Sequence, residues 1–161
     1  MISYGSIINK KMTNKEIIEK FYQSFASADA EGMISCYHTN IQFCDPAFGL
    51  LEGDDAKKMW RMLVRPGIKI NFEDVMADEQ KGSAQWTAHY TFSPTGRKVI
   101  NKVSAKFEFK DGKIIKHTDE FDMWKWSKQA LGLKGYLLGW SDFMKNKIQK
   151  QANARLKKFT G

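Results

Sequence analysis

The feature that most constrains the fold is a two-residue alternation of apolar and polar side chains within residues 68–124. Apolar side chains take every second position in residues 68–72 and 84–92, and in residues 99–109 with Asn101 as the one polar member of the face. This period predicts strands with one face in a core. Short turn sequences join the strands, and Asp111–Gly112 is a strong hairpin signal. Successive strands joined by short turns predict an antiparallel sheet.

The remaining turns and the last strand set the expected faces of this sheet. We predict a turn at Lys81–Gly82 and a final strand from about Lys113 to Trp124. Because side chains alternate along a strand, one face of the final strand should carry Ile115, His117, Asp119 and Phe121.

Helical patterns come before the strands. Thr13 and Glu16 form a capping-box sequence, which predicts a helix that continues to about Ala28. Asp29 is the predicted cap of a second helix that ends near Tyr37. The other expected elements are a strand over residues 41–45, a loop between Gly49 and Gly53, and a helix over residues 54–64. This order predicts an α+β fold with helices on one face of a strongly curved antiparallel sheet.

The end of the chain has a separate pattern. Phe143, Met144, Ile148, Ala152, Leu156 and Phe159 recur at helical spacing, with lysines on the other face. Residues 141–161 hold six basic side chains against Asp142 alone. We therefore predict an amphipathic helix over residues 141–159. The expected organisation is a flexible leader (1–12), an α+β domain (13–126) and a C-terminal helical extension (127–161).

Composition excludes several classes of protein. No apolar run approaches the roughly 20 residues of a membrane span. Cys36 and Cys44 lack the spacing of a metal site, and no nucleotide-binding motif occurs, so we expect no metal and no cofactor. Most of the +8 net charge belongs to the tail, so we expect no nucleic-acid partner. The start of the chain has no secretory signal pattern, which favours a cytoplasmic location.

Two local strings resemble the nuclear transport factor 2-like superfamily, which includes ketosteroid isomerases, SnoaL-type polyketide cyclases and limonene-epoxide hydrolases. SFASADAEGMISCYHTNIQFCDP is similar to the helix–helix–strand opening of the isomerases. FEFKDGKIIKHTDEFD is similar to the last hairpin of the hydrolase and SnoaL-like branches. The resemblance covers residues 14–126 and implies a conical, cystatin-like α+β barrel around a cavity. It implies the fold more than the chemistry, because this fold hosts many functions.

The resemblance also places two carboxylates at family sites. Asp45 stands where the isomerases keep their catalytic base, and Asp119 where the epoxide hydrolases keep a catalytic aspartate. Phe21 and Ala105 stand where the isomerases have oxyanion donors, and the hydrolases' Arg and Asp partners fall on residues 86–89. The residues of this sequence contradict the SnoaL-type cyclases least, because those enzymes need little more than a cavity and an acid/base group.

Asp45, Asp119 and His117 are therefore the candidate catalytic residues. A carboxylate on an apolar strand face is unfavourable unless it shifts its pKa or finds a partner. His117 precedes Asp119 by two residues and points the same way, as a proton shuttle requires. The alternative is that all three are structural. The candidate ligand-binding residues, for which plain core packing is the alternative, are Tyr22, Trp60, Trp86, Tyr90, Asn101 and Phe107.

Two functions follow from these observations. The leading one is binding of a small, mainly apolar molecule in the cone, with acid/base isomerase, cyclase or hydrolase chemistry. The alternative is a non-catalytic ligand-binding or protein-interaction module with a basic C-terminal helix. The resemblance implies a homodimer through the outer face of the sheet. We rank packing of the tail on the domain or on a dimer partner ahead of contact with an anionic membrane.

Overall fold

The computed structural model describes residues 10–161. Of the expected leader (residues 1–12), residues 1–9 lie outside the described residues. The helices are α1 (Asn14–Ala26), α2 (Ala30–Ile34), α3 (Asp54–Leu63), α4 (Met123–Leu131), α5 (Leu133–Leu138) and α6 (Asp142–Lys158). The strands are β1 (Tyr37–Asp45), β2 (Gly49–Glu52), β3 (Lys69–Ala77), β4 (Lys81–Phe92), β5 (Arg97–Lys110) and β6 (Lys113–Glu120).

One curved, unclosed sheet contains all six of these strands in the order β2-β1-β6-β5-β4-β3. Strands β1 and β6 pair in parallel, and every other neighbouring pair is antiparallel. Helices α1, α2 and α3 lie on the inner face. The predicted α+β cone with a helical extension is therefore confirmed.

Local sequence explains how the cone is filled. The capping box is present, since Thr13 Oγ1 accepts the amide of Glu16 and Glu16 Oε2 accepts the amide of Thr13. Strands β4 and β5 turn alternate side chains inward, as their two-residue period predicts. The largest fully buried side chains of the core are Tyr22, Phe21, Phe43, Phe107, Ile18, Met33, Ile41 and Met59.

Two β-sheet expectations were wrong because of local backbone geometry. Between the β5–β6 pairs Glu108–Lys116 and Phe109–Ile114, Ile115 has no partner, which makes it a β-bulge. The bulge shifts the alternation, so Ile114 is buried while Ile115 is only half-buried. The turn before β4 is held by Asp78, whose Oδ1 accepts the amides of Gln80 and Lys81. It therefore comes before Lys81–Gly82, which lie in the strand.

Three boundaries also differ from the sequence prediction. Tyr37 begins β1 instead of ending α2. The expected loop between Gly49 and Gly53 contains β2, which pairs with the end of β1. Strand β6 stops at Glu120, because Asp122 caps α4 by accepting the amide of Lys125 at 2.9 Å. Neighbouring backbone groups decide these boundaries.

Residues 123–161 form the C-terminal extension, which packs across one end of the sheet. A second apolar cluster unites this extension with the ends of β4 and β6 and the start of β5; its buried members are Val99, Met123, Trp126, Ala130, Met144 and Ile148. Leu156 of α6 reaches the main core. The predicted tail helix is confirmed as α6, although Phe143 is exposed and does not belong to its buried stripe.

None of the helices within residues 10–161 is long and apolar enough to cross a membrane.

Candidate functional site

A chain of buried hydrogen bonds crosses the cone and ends on Asp119. Trp60 Nε1 lies 2.8 Å from the Tyr37 hydroxyl oxygen. That oxygen lies 2.7 Å from Nδ1 of His117, whose Nε2 lies 2.9 Å from Asp119 Oδ1. Trp86 Nε1 also donates to Asp119 Oδ1, at 3.3 Å. Elements α3, β1, β4 and β6 each contribute to this network.

The direction of donation follows from the indole of Trp60, which can only donate. The Tyr37 oxygen accepts from Trp60, and its own proton has His117 Nδ1 as its acceptor among the described residues. We therefore assign the proton of neutral His117 to Nε2, where it is donated to Asp119. This arrangement gives Trp60 Nε1, the Tyr37 hydroxyl and both ring nitrogens of His117 a hydrogen-bond partner.

His117 is enclosed by aromatic rings. Its side chain is fully buried, and Phe107 lies 4.5 Å away between ring centroids. Phe43 and Phe21 meet it edge-on at 5.1 and 5.3 Å. Such packing excludes water and fixes the orientation of the ring. The position of Asp119 Oδ1 is therefore fixed as well.

The two carboxylate oxygens of Asp119 differ in their hydrogen bonds. Oδ1 takes both hydrogen bonds, and Oδ2 has no hydrogen-bond partner among residues 10–161. The side chain is only 3% exposed. Within the described part of the chain, Asp119 thus presents one carboxylate oxygen without a hydrogen bond inside an apolar cone.

Asp45 lies beside Asp119 at the same end of the sheet. Strands β1 and β6 are in register at Phe43–His117 and Cys44–Thr118, so Asp45 falls level with Asp119. Asp45 Oδ1 accepts the amides of Ala47 and Phe48, at 2.9 and 2.6 Å, and holds the β1–β2 turn.

Asp45 therefore has a structural role through one oxygen. Burial raises the pKa of this carboxyl to about 7, the two amide donors oppose the shift, and the negative charge of Asp119 adds to it. A carboxyl with this pKa exchanges protons near neutral pH.

Tyr22 brings a buried hydroxyl into the same region. The residue is fully buried, and its hydroxyl has no partner among the described residues. Its ring lies 6.0 Å from that of Trp86, which donates to Asp119. Burial raises the pKa of Tyr22 well above its usual value, and the charge of Asp119 raises it further. Tyr22 is therefore a neutral phenol that can donate a hydrogen bond.

The other candidate ligand-binding residues separate into two groups. Trp60, Trp86 and Phe107 are buried around His117 and Asp119. Tyr90 instead accepts a hydrogen bond from Trp126 Nε1 of α4, at 2.7 Å. Asn101 is half-buried on β5 opposite Ala88, and its side chain has no hydrogen bond within residues 10–161. The second pair thus lies towards the C-terminal extension.

Aromatic side chains fill the space next to the carboxylates. Phe25 lies 5.3 Å from Trp60 and 5.5 Å from Trp86, measured between ring centroids. Two depressions of about 370 and 360 Å³ lie elsewhere, one lined by residues of 10–23 and the other by residues of 40–53. The rings of Phe25, Trp60 and Trp86 therefore pack against one another beside Asp119.

Helix α6 borders the turn that follows Asp45. Gln149 Nε2 donates to the carbonyl of Pro46 at 3.1 Å, and Asn153 Nδ2 donates to that of Phe48 at 2.8 Å. The extension therefore covers the end of the sheet where both carboxylates lie.

Sequence reasoning missed Tyr37 as a member of the site. The sequence analysis placed Tyr37 at the end of a helix and therefore did not connect it with Asp45. The signal that could have found it is an inward-facing Tyr at the start of the strand that ends in Asp45. Within residues 10–161 no group of three or more His, Cys, Asp or Glu side chains is arranged to hold a metal ion.

The fold and the site define an α+β cone with a buried carboxylate–histidine centre. The family model of the SnoaL-like domain matches residues 18–117, and the chain belongs to that family. No curated protein sequence matches the chain.

Solved structures share the fold at low sequence identity. An LEH-like epoxide hydrolase from M. tuberculosis is 19% identical, with a TM-score of 0.59 over 76% of this chain and 92% of that one. SalBIII, an epoxide hydrolase/cyclase-like enzyme in pyran ring formation in the polyether salinomycin, is 18% identical, with a TM-score of 0.60 over 68% and 90%. An NTF2-like protein of unknown function from Cytophaga hutchinsonii is 13% identical, with a TM-score of 0.59 over 71% and 95%.

These structures are matched almost in full, while about a quarter of this chain or more has no counterpart in them. The family match also ends at residue 117, before the extension begins.

Proposed function

We propose that the protein binds a small, mainly apolar molecule in the cone and moves a proton on it, as an isomerase, cyclase or hydrolase does. The observation that carries the proposal is Asp119 Oδ2, which has no hydrogen bond from residues 10–161, in a carboxylate whose other oxygen is held by His117 and Trp86. A base needs such a lone pair and a fixed position. The aromatic surroundings select a ligand that is mostly uncharged.

Asp119 acts as the base in this proposal, and the Trp60–Tyr37–His117 chain positions it. When Asp119 takes a proton from the ligand, His117 keeps its hydrogen bond to Oδ1 and holds the side chain in place. Negative charge that develops on a ligand oxygen then requires a donor. The neutral hydroxyl of Tyr22, which has no partner within residues 10–161, is the group that supplies it.

Asp45 is the proposed acid. Its pKa of about 7 leaves a large protonated fraction at neutral pH, and it lies in register with Asp119 on the neighbouring strand. Two neighbouring carboxyls in different environments can divide the roles of acid and base. Since Asp45 Oδ1 is occupied by backbone amides, Oδ2 is the oxygen that carries the proton.

Proton transfer can be tested without knowledge of the natural ligand. A panel of neutral cyclic ketones, enones, epoxides and phenols is screened for a rise in melting temperature. Ketones that bind are then followed by NMR in deuterated buffer for exchange of their α-protons. We expect Asp119→Asn to slow the exchange by about a hundredfold or more while the fold is retained.

The matched control for this experiment is Asp74→Asn. Asp74 is exposed and has a positive φ of 53°, which Asn also tolerates. This variant should exchange protons like the wild type. Equal exchange rates in wild type and Asp119→Asn, or no exchange with any bound ketone, would contradict the proposal.

A second candidate function is a non-catalytic interaction module. The aromatic side chains that fill the cone favour it. In that case none of the panel raises the melting temperature. The Trp60–Tyr37–His117 chain then serves stability alone. The same thermal screen separates the two functions.

A further inference from the structure

The segment at the tip of the C-terminal extension turns its large apolar side chains towards solvent. Leu133 is 73% exposed, Trp140 65% and Phe143 71%. Tyr136 and Leu137 are also more than half exposed, at 58% and 55%. We call these five residues the tip patch. Single exposed apolar residues are common, but five large ones within eleven positions are a concentration typical of an interaction site.

The inner side of α5 is made of two glycines, Gly135 within the helix and Gly139 at its C-cap, and they fix this orientation. Gly135 and Gly139 are buried against Ser127 of α4. A Cβ on Gly135 would lie 1.8 Å from the Ser127 carbonyl oxygen, and one on Gly139 would lie 2.6 Å from the Ser127 Cβ. A side chain larger than glycine therefore cannot face inward at these positions. Helix α5 is packed with its small residues inside and its large apolar residues outside.

Hydrogen bonds hold the patch in this form. Trp124 Nε1 donates to the carbonyl of Tyr136 at 3.2 Å, and the two rings lie 6.4 Å apart. Trp140 Nε1 donates to the carbonyl of Leu137 at 2.9 Å. The indole of Trp140 thus has its polar atom satisfied within the segment and presents an apolar surface.

The charge of the protein is concentrated on the same extension. Residues 123–161 contain nine basic side chains and one acidic side chain, Asp142. Residues 1–122 contain 17 of each sign, so the extension accounts for the whole net charge of +8. Lys134 lies within the segment of the tip patch, with Lys128 before it and Lys145 after it.

We propose that the tip patch docks the protein on an anionic lipid surface. Exposed Trp, Tyr, Phe and Leu side chains enter the boundary between headgroups and acyl chains, and the lysines bind the anionic headgroups. This site is distinct from the apolar stripe of α6, which is buried on the barrel through Met144, Ile148 and Leu156. Attachment therefore needs no unfolding of the extension.

Charge argues against a second copy of the chain as the occupant. A two-fold contact places the same patch of each copy face to face, and both extensions carry the same strong positive charge. The patch also has few hydrogen-bonding side chains, which a protein interface uses and an acyl-chain boundary does not need. An anionic membrane satisfies both the charge and the apolar surface.

Vesicle flotation with the full-length protein tests the proposal. Vesicles of phosphatidylcholine containing about one third phosphatidylglycerol are compared with pure phosphatidylcholine vesicles. We expect binding to the anionic vesicles, with at least about tenfold weaker partitioning on the neutral ones. The double variant Leu137→Ser/Trp140→Ser should lose about tenfold or more in partitioning on anionic vesicles and keep its melting temperature, since both side chains are exposed.

Matched controls separate the contribution of the apolar side chains to vesicle binding from that of the lysines. Met76→Ser changes a side chain that is equally exposed, at 65%, but lies on β3, and should bind like the wild type. The triple variant Lys128→Gln/Lys134→Gln/Lys145→Gln should bind more weakly than Lys98→Gln/Lys102→Gln/Lys110→Gln, which removes the same charge from β5.

Two outcomes would overturn the assignment. Equal vesicle binding by wild type and the Leu137/Trp140 variant would show that the patch makes no lipid contact. A wild-type dimer in sedimentation velocity that this variant converts to monomer would make a second copy the occupant.

Discussion

The Tyr37 hydroxyl lies 2.7 Å from Nδ1 of His117, although the two residues are 80 positions apart in the chain. This contact joins the start of β1 to the middle of β6. It sets the tautomer of His117 and, through Nε2, the direction in which Asp119 faces. Removing the hydroxyl should therefore affect both stability and chemistry.

Tyr37→Phe should lower the free energy of unfolding by about 1–3 kcal/mol, because it leaves Trp60 Nε1 and His117 Nδ1 without a buried partner. Urea unfolding followed by Trp fluorescence measures the change. Tyr136→Phe is the control, since its exposed hydroxyl has no hydrogen bond among residues 10–161. An equal effect of the two substitutions would contradict the role of the Tyr37 hydroxyl.

Asp45→Asn should remove a pH dependence of stability. The pKa of Asp45 is about 7 in the folded protein against an ordinary value of 3.8. The contribution of Asp45 to the free energy of unfolding is therefore most favourable below about pH 4 and declines as the pH rises to about 7. Three pKa units correspond to about 4 kcal/mol at most, and partial exposure of the side chain reduces the expected difference to about 1–2 kcal/mol.

The variant should thus gain stability relative to wild type between pH 4.5 and 8. Unfolding free energies at pH 4.5, 6 and 8 measure this gain. A difference that stays constant across the three pH values would show that Asp45 is ionised throughout.

Leu156→Ala should destabilise the protein by about 2–4 kcal/mol, because Leu156 joins α6 to the main core and is only 4% exposed. Deletion of residues 141–161 should lower the melting temperature for the same reason. Phe143→Ala is the control on the same helix, since that side chain is 71% exposed. If Leu156→Ala and the truncated protein both melt like the wild type, α6 contributes no packing to the domain.

Gly135→Ala should displace α5 from α4, since the added Cβ overlaps the backbone of Ser127. We expect a loss of about 1–3 kcal/mol, typical of an overpacked site. Leu133→Ala, at an exposed position of the same helix, should change stability by no more than about 0.5 kcal/mol. If Gly135→Ala leaves the free energy of unfolding unchanged, the contact between α4 and α5 is loose.

The sequence by itself determined the architecture of the cone. The alternation in β4 and β5 fixed which side chains face inward, because a strand with one buried face must keep a period of two. Thr13 and Glu16 fixed the start of α1 through contacts within four residues. Asp45 and Asp119 could be singled out because a carboxylate on an apolar face requires a compensating partner or a shifted pKa.

Only the tertiary structure decided how these residues act together. The bulge at Ile115, the strand β2 and the place of Tyr37 depend on pairing between strands, which no local pattern encodes. The donor chain from Trp60 to Asp119 joins three separate segments of the chain, so its order follows from distances and not from spacing. The outward face of α5 was hidden for a related reason. Its apolar residues look like core residues in the sequence, and only the close approach of Gly135 to Ser127 turns them to solvent.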